Sequence, residues 1–591
     1  MHACANRPRR VLVLDADMIP ALTIVRSLHA RGLHIDVASH EDYPLAARSR
    51  YAGALLRYPD PLAQASPFVD WVADQIERGG YALIIPVTER SLTPLHHERG
   101  RIDERRVAMA PAAALAIALD KSRTLALAAA LGIRVPRGCA ADTPAAAVAF
   151  AATQGYPLVI KPTSSIGAQA QGRIQLQVAY ARTDTELVAR LAAARRYGTA
   201  LIQEFFPGTG VGIELIAEHG RITFAFAHRR LHEVPLTGGA SSLRLSVPIE
   251  PAMLDAARRL IAAMGWHGVA MVEFKQNPQT GEFCLMEVNG RFWGSLPLAA
   301  AAGADFPAML AELYLDGAIR PRPAARTGIY CRNLPNDIHW LEAVLRRDAP
   351  PGLATLPTWT RVIRDLLLVF SPRHHFDTQQ WRDPRPGLAE LRRIVSDHWR
   401  RASGLIAHRR FLRRQRAAWR SAAVAARLRT GAHLLFLCYG NINRSALAEV
   451  LASERLAGRF RLSSAGLHPA GGRPADPVMV AVAAAHGHDL SASRSRVVDA
   501  ALVADADLIL AMEAAHIEQL AALFPASAGK AFLLGLAAAA TIPDAEIPDP
   551  YGHRPDAYER CFAQVEQCIT GLLGRSRQSP PGTADTTDLA L

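Results

Sequence analysis

The sequence predicts an α/β multidomain protein, and three observations carry that reading. Short apolar, strand-like runs alternate with alanine- and leucine-rich helical stretches from about residue 10 to 320. That pattern degrades between residues 320 and 430, then restarts with HLLFLC just after Gly431. The length of 591 residues also exceeds what one hydrophobic core serves, since single cores stop growing near roughly 250–300 residues.

Half the residues are hydrophobic and a fifth are charged, the balance of a globular protein rather than a disordered or fibrous one. The longest apolar runs, such as Ala531 to Pro543, stop short of the roughly 20 residues that span a bilayer, so no transmembrane helix is expected. Arg7, Arg9 and Arg10 lead into a strand-like run, and no signal peptide is read there. The seven cysteines lack CxxC pairs and His/Cys metal spacing, which points to a reducing cytoplasm without structural zinc. The net charge of +13 comes almost wholly from arginine, because only Lys121, Lys161, Lys275 and Lys530 are lysines. In such a background a lysine marks places where a compact ammonium is needed, as in a tight phosphate site. No specific nucleic-acid partner is expected.

Each element follows from its pattern. RRVLVLDADMIPALTIVRSLHARGLHIDVAS reads as strand, amphipathic helix and strand, a βαβ unit, with further strands at residues 82–87 and 157–162. Prolines punctuate residues 321–386, and no acidic residue occurs from His398 through Ala448. Ten arginines between 400 and 430, interleaved with apolar residues and Trp419, predict one or two basic amphipathic helices. A solvated interdomain helix is one reading of them, and a membrane-surface or polyanion patch the other. The second α/β unit runs from 431 to about 575, and residues 576–591, ending in SPPGTADTTDLAL, read as a disordered tail.

Two constellations carry chemistry. In LLFLCYGNINRSALAEVLASERL, Cys438 ends an apolar strand, and the loop Tyr439, Gly440, Asn441, Ile442 and Asn443 leads to a helix opening at Arg444 and Ser445. Such a loop turns backbone N–H groups inward as an anion nest, and the helix N-terminus adds its positive end, so a dianionic phosphate fits. Those donors favour the thiolate, the attacking form of cysteine, while the planar fork of Arg444 suits two phosphate oxygens. Transfer to sulfur needs an acid for the leaving oxygen and later a base for water. Asp549, in the proline-stiffened IPDPYG, is the candidate for both, with Asp544 as its competitor.

The segments LCYGNINRSALAE, SSAGLHPAGGRPADP, HGHDLSASRSR, ADADLILAMEAAH and IPDPYG resemble, in order and spacing, the low-molecular-weight protein tyrosine phosphatases. The resemblance implies a four-stranded parallel sheet flanked by helices, phosphotyrosine as substrate and no cofactor. It puts the nucleophile on Cys438, the phosphate-binding arginine on Arg444 and the general acid on Asp549. Asn441, Ser445 and Ser464 fall on loop-stabilising positions and Tyr551 beside the substrate ring. The family's second loop cysteine is Asn443 here, and its proline after Arg-Ser is Ala446. The arsenate reductases share the loop but need two further cysteines, which ADADLILAMEAAH lacks.

In GVAMVEFKQNPQTGEFCLMEVNGRFWGS two strands joined through Asn277, Pro278 and Gly281 set Glu273 and Glu287 side by side, with Asn289 two residues on. Two carboxylates and an amide oxygen are hard ligands of the kind magnesium takes beside nucleotide phosphates. Lys161 ends PLVIK ahead of the small polar loop PTSSIGAQAQG, a phosphate cover, Lys121 opens a helix, and Gln203 and Glu204 end a strand. AHRRLHEVPLTGGASS is read as the acceptor side.

This order resembles the ATP-grasp fold behind its Rossmann-like pre-ATP-grasp domain, in particular carboxylate-amine ligases and the carbamoyl phosphate synthase large subunit. The resemblance implies that Lys121, Lys161, Gln203, Glu204, Glu214 and Arg291 meet ATP, and that Glu273, Glu287 and Asn289 hold Mg2+. The expected domains are pre-ATP-grasp 1–115, ATP-grasp 116–320, extension and connector 321–430, and phosphatase 431–575. The expected function is cytoplasmic and bifunctional: a phosphatase for a phosphotyrosine protein or a small phosphate ester, and a ligase joining a carboxylate to an amine. An ATP-grasp half that senses nucleotide and gates the phosphatase is the alternative.

Overall fold

A computed structural model describes residues 9–140, 143–162, 166–169, 172–175, 178–195, 199–456, 458–538 and 544–578. The chain forms two compact units, Met1–Val395 and Ser396–Leu591.

The first unit opens with a parallel sheet in the order Leu55–Arg57, His34–Ser39, Arg10–Val13, Leu83–Ile85. Its central strands are buried on both faces, which explains why VLVL and LII read as continuous apolar runs. The helix Ile19–His29 is the crossover anticipated for the βαβ unit. A small antiparallel sheet follows, ordered Gly138–Ala140, Ala200–Glu204, Leu158–Pro162, Ala179–Ala181. The helices Pro144–Gln154 and Asp184–Arg195 cover it through Ala147, Ala151, Leu187 and Leu191.

The third sheet has seven strands, ordered Phe283–Asn289, Gly268–Gln276, Thr209–Glu218, Arg221–Val234, Ala240–Val247, Tyr330–Arg332, His374–Phe376. Its pairs are antiparallel except the last. The region expected to be irregular thus supplies two strands, together with the helices Leu334–Arg346 and Trp359–Leu367. Among the described residues no single helix is long and apolar enough to cross a membrane.

The helix Pro384–Arg420 is continuous over 37 residues and is followed by the short helix Ala422–Ala425, two helices where one or two were expected. Pro384 and Pro386 sit in its first turn, where a missing N–H costs no intrahelical bond. Its later part belongs to the second unit, where Trp419 is buried in the core. Gln415 accepts from Leu533 N at 3.0 Å and donates to Ala531 O at 3.4 Å, so the helix occupies groups on the edge strand Ala531–Leu533.

That edge closes a four-stranded parallel sheet ordered Arg461–Gly466, His433–Cys438, Leu508–Ala511, Ala531–Leu533. Leu434, Phe436, Leu447, Leu451, Phe562 and Ile569 fill its core. The last helix runs Pro555–Gln578, past the residue 575 at which the domain was expected to end, and residues 579–591 of the predicted tail lie outside the described residues.

Candidate active sites

The loop after His433–Cys438 is shaped by Asn441, which holds a left-handed φ of 51°. Its side chain secures that conformation, donating to Ser445 Oγ at 2.9 Å and Ser464 Oγ at 2.8 Å while its Oδ1 accepts from Arg496 N at 2.7 Å. Ser464 in turn donates to Glu449 at 2.6 Å, and burial raises the pKa of that carboxyl. Arg473 closes the loop's outer side by donating to Gly440 O at 2.6 Å.

The buried Cys438 Sγ accepts from Asn441 N at 3.1 Å and lies 3.0 Å from Ser445 Oγ at the start of the helix Arg444–Leu456. Arg444 is buried, donating to Asp549 at 2.8 Å, to Ile547 O at 2.9 Å and to Glu513 at 2.5 Å. The structure therefore joins Cys438, Ser445, Arg444 and Asp549 in one cluster. Asn443 is buried with neither side-chain polar atom bonded. Tyr439 and Tyr551 stand exposed, and Tyr439 meets His468 edge-on at 5.7 Å between ring centroids. Asp544, the competing acid, has no bond to Arg444 among those described.

Glu513 is the member that sequence reasoning missed. It precedes the helix Ala514–Leu523 in a capping box with His516, whose Nδ1 accepts from Glu513 N at 3.2 Å. Burial and then the nearby Arg444 push the His516 pKa down to about 4. The visible signal was a glutamate at a strand end three residues before a histidine.

Residues 433–579 match the family model "Low molecular weight phosphotyrosine protein phosphatase". The Escherichia coli K12 protein described as low molecular weight protein-tyrosine-phosphatase Etp is 40% identical over 134 residues, 23% of this chain and 87% of that protein. The chain belongs to this phosphatase family. The probable phosphatase EpsP of Ralstonia nicotianae is 35% identical over 144 residues, 24% of this chain and 95% of that one. The solved tyrosine phosphatase amsI of Erwinia amylovora is 33% identical, covering 24% of this chain and 92% of its own, with a TM-score of 0.23. The phosphatase domain has the four-stranded parallel sheet expected of it.

From the other constellation Glu273, Glu287, Asn289 and Arg291 line a cleft of about 1100 Å³ in the first unit, while Lys121 and Lys161 stand behind that lining. Glu273 and Glu287 are direct partners across Gly268–Gln276 and Phe283–Asn289, as the hairpin predicted, and Met271 faces Asn289. Asn277 shapes the turn, its Oδ1 accepting from Gln279 N at 2.9 Å, and Gly281 takes φ 75°. Asn289 Nδ2 donates to Glu287 at 3.2 Å, which leaves its Oδ1 for another partner. Two carboxylates and that oxygen fit a magnesium ion by donor type. Lys121 Nζ lies 3.6 Å from Glu287, and Arg230 Nη2 lies 2.5 Å from Glu273.

Burial and the Glu287 charge raise the Glu273 pKa against the pull of Arg230. Burial opposes ionisation of Glu287 too, but Lys121 and Lys161 hold its pKa below the usual range. Desolvation lowers the pKa of Lys161 despite Glu287. Arg291 reaches the cleft and pairs with Glu89 at 3.2 Å. Arg230, His228, Ser241 and Arg244 of the anticipated acceptor segment and its neighbour also line it. Like Lys121 and Lys161, three further expected ATP contacts are not among the lining residues. Gln203 is buried on the small antiparallel sheet, and Glu204 is held by Arg137 at 2.6 Å. Glu214 is fully buried behind the cleft-lining Ser295 and His228: Oε1 accepts from Ser295 Oγ at 2.6 Å and lies 3.0 Å from His228 Nδ1, while Oε2 has no hydrogen-bond partner. The phosphate-cover loop lies partly outside the described residues, which show only the hairpin Ile166–Gln169 and Gly172–Gln175.

Residues 196–336 match the family model "ATP-grasp in the biosynthetic pathway with Ter operon". The Campylobacter jejuni biotin carboxylase, solved with β,γ-ATP, is 14% identical over 55% of this chain and 74% of its own, with a TM-score of 0.45. The first unit contains an ATP-grasp domain.

Proposed function

We propose that this chain couples a phosphotyrosine phosphatase, in the unit Ser396–Leu591, to an ATP-dependent ligase, in the unit Met1–Val395. The observation that carries the phosphatase half is Cys438 Sγ facing Asn441 N and Ser445 Oγ, with Arg444 tied to Asp549. The sulfur attacks phosphorus and the P–O bond breaks, while Asp549 gives its proton to the departing phenolic oxygen. Arg444, released from Asp549 and Glu513, spans two phosphoryl oxygens as they spread in the transition state. Asp549 then takes a proton from water, which attacks the phosphocysteine and returns the thiolate. The relatives' printed names support a phosphotyrosine substrate, and the exposed Tyr439 and Tyr551 offer aromatic flanks to it.

For the ligase half, Glu273, Glu287 and Asn289 would hold Mg2+, which when bound neutralises charge on nucleotide phosphates. Lys121 and Lys161 would meet those phosphates, and Arg291 the activated carboxylate. The acceptor amine enters from the side of Arg230, Ser241 and Arg244. The reading is cytoplasmic, where ATP is abundant and thiols stay reduced, and the cysteines described are free. The deciding experiment assays the full chain with ATP and Mg2+ across a carboxylate and amine panel for ADP release. ADP formed only with a matched pair supports the ligase, while nucleotide binding without turnover overturns it.

A further inference from the structure

The helix Trp359–Leu367 and its 3-10 continuation Leu368–Phe370 present two opposed characters. Inward, Val362 packs with Trp340, and Asp365 lies 3.2 Å from His232 Nε2, both nearly inaccessible. Outward, Trp359 is 56% exposed, Ile363 56%, Leu367 58% and Phe370 82%. At helical spacing these residues, with Leu366, fall within an arc of about 100°. Thr358 caps the helix by accepting from Arg361 N, so the stripe sits on an element anchored at its start and on its inner side. A contiguous apolar face of this kind marks an interaction site rather than a fold requirement.

We propose that this helix lies flat on an anionic lipid bilayer. A tryptophan at one end and a phenylalanine at the other suit the headgroup boundary, with aliphatic residues between them reaching the acyl region. Charge selects the occupant. Between residues 345 and 375 stand Arg346, Arg347, Arg361, Arg364 and Arg373 against Asp348 and Asp365, and Asp365 is buried. Arg361 and Arg364 flank the stripe; each pairs with the buried Asp365, at 3.6 and 2.9 Å, and keeps its side chain 46% and 68% exposed, so two guanidinium charges stand against one inaccessible carboxylate. A second copy of the chain would set this basic rim against itself across a two-fold contact, whereas anionic headgroups complement it. The surface is distinct from the arginine-rich stretch 400–430 to which the sequence pointed, where Gln415 and Trp419 are buried.

The test is co-sedimentation of the full chain with vesicles of phosphatidylcholine plus phosphatidylglycerol, beside vesicles of phosphatidylcholine alone. The parent chain is expected to sediment with the anionic vesicles and to release as salt rises. Ile363→Glu/Leu367→Glu, both at exposed positions, should weaken that binding by about tenfold or more. Thermal unfolding of the variant, matched to the parent, shows that the fold is kept. A parent chain left in the supernatant, or a double variant that sediments equally, overturns the proposal. So does sedimentation velocity showing a parent dimer that the double variant converts to monomer without vesicle binding, since the stripe is then a self-interface.

Discussion

At the scale of single residues, the phosphatase site is an arginine held between two carboxylates beside a sulfur. Asp549 and Glu513 occupy Arg444 with hydrogen bonds that, in the proposed reaction, an entering phosphate takes over. Cys438→Ser is expected to lower para-nitrophenyl phosphate turnover by a factor on the order of 10⁴ or more, measured as initial rate. Asp549→Asn removes the acid but keeps the shape, and should cost on the order of 10²–10⁴ in kcat. Asp544→Asn should stay within about twofold of the parent, because the acid proposed is Asp549, which the structure sets beside Arg444. In the ATP-grasp cleft, Arg230 covers a carboxylate proposed to hold magnesium. Arg230→Gln leaves the part-buried Glu273 without its cation, at a cost of about 1–3 kcal/mol, seen as a lowered unfolding midpoint. Glu273→Gln in the same chain should restore much of it, which calorimetry on the double variant checks.

At the scale of elements, legibility followed chain distance. The strand–loop–helix around Cys438 is contiguous, so its spacing alone announced an anion nest, and the Glu273/Glu287 hairpin was readable from one turn. Glu513 was not, because its meeting with Arg444 joins elements 69 residues apart. The strands Tyr330–Arg332 and His374–Phe376 are three residues each, too short to show a period of two, and only pairing with Ala240–Val247 and each other defines them. The burial of Glu214 was likewise not readable, because its strand position says nothing of Ser295, which reaches it from a later segment. The helix Ala514–Leu523 carries a pH dependence of its own. With its pKa pushed down to about 4 from 6.5, His516 is neutral when folded and protonates first in the unfolded chain. Its contribution is whole above pH 6.5 and falls as pH drops towards 4, by as much as about 3 kcal/mol. Denaturant titrations of the phosphatase unit between those pH values should show that slope, and His516→Gln should flatten it.

At the scale of the whole molecule, each unit has a hydrophobic core of its own. One runs from Trp419 to Leu572, and the others are built from residues between Val11 and Val362. A unit that buries its own strands, caps its own sheet edge through Gln415 and contributes Cys438, Arg444, Asp549 and Glu513 from within needs nothing further for the chemistry proposed. Residues 396–591 expressed alone are therefore expected to hydrolyse para-nitrophenyl phosphate within about twofold of the full chain. The start at 396 matters, because beginning at 431 removes Gln415 and Trp419, leaving Leu533 N without its partner and a gap where the indole packs. Together these should cost about 3–5 kcal/mol, by analogy with removing a buried aromatic side chain. Comparing the two truncations by thermal unfolding separates the roles of the long basic helix: a matched midpoint would make its later half a tether, and a lowered one makes it part of the phosphatase fold.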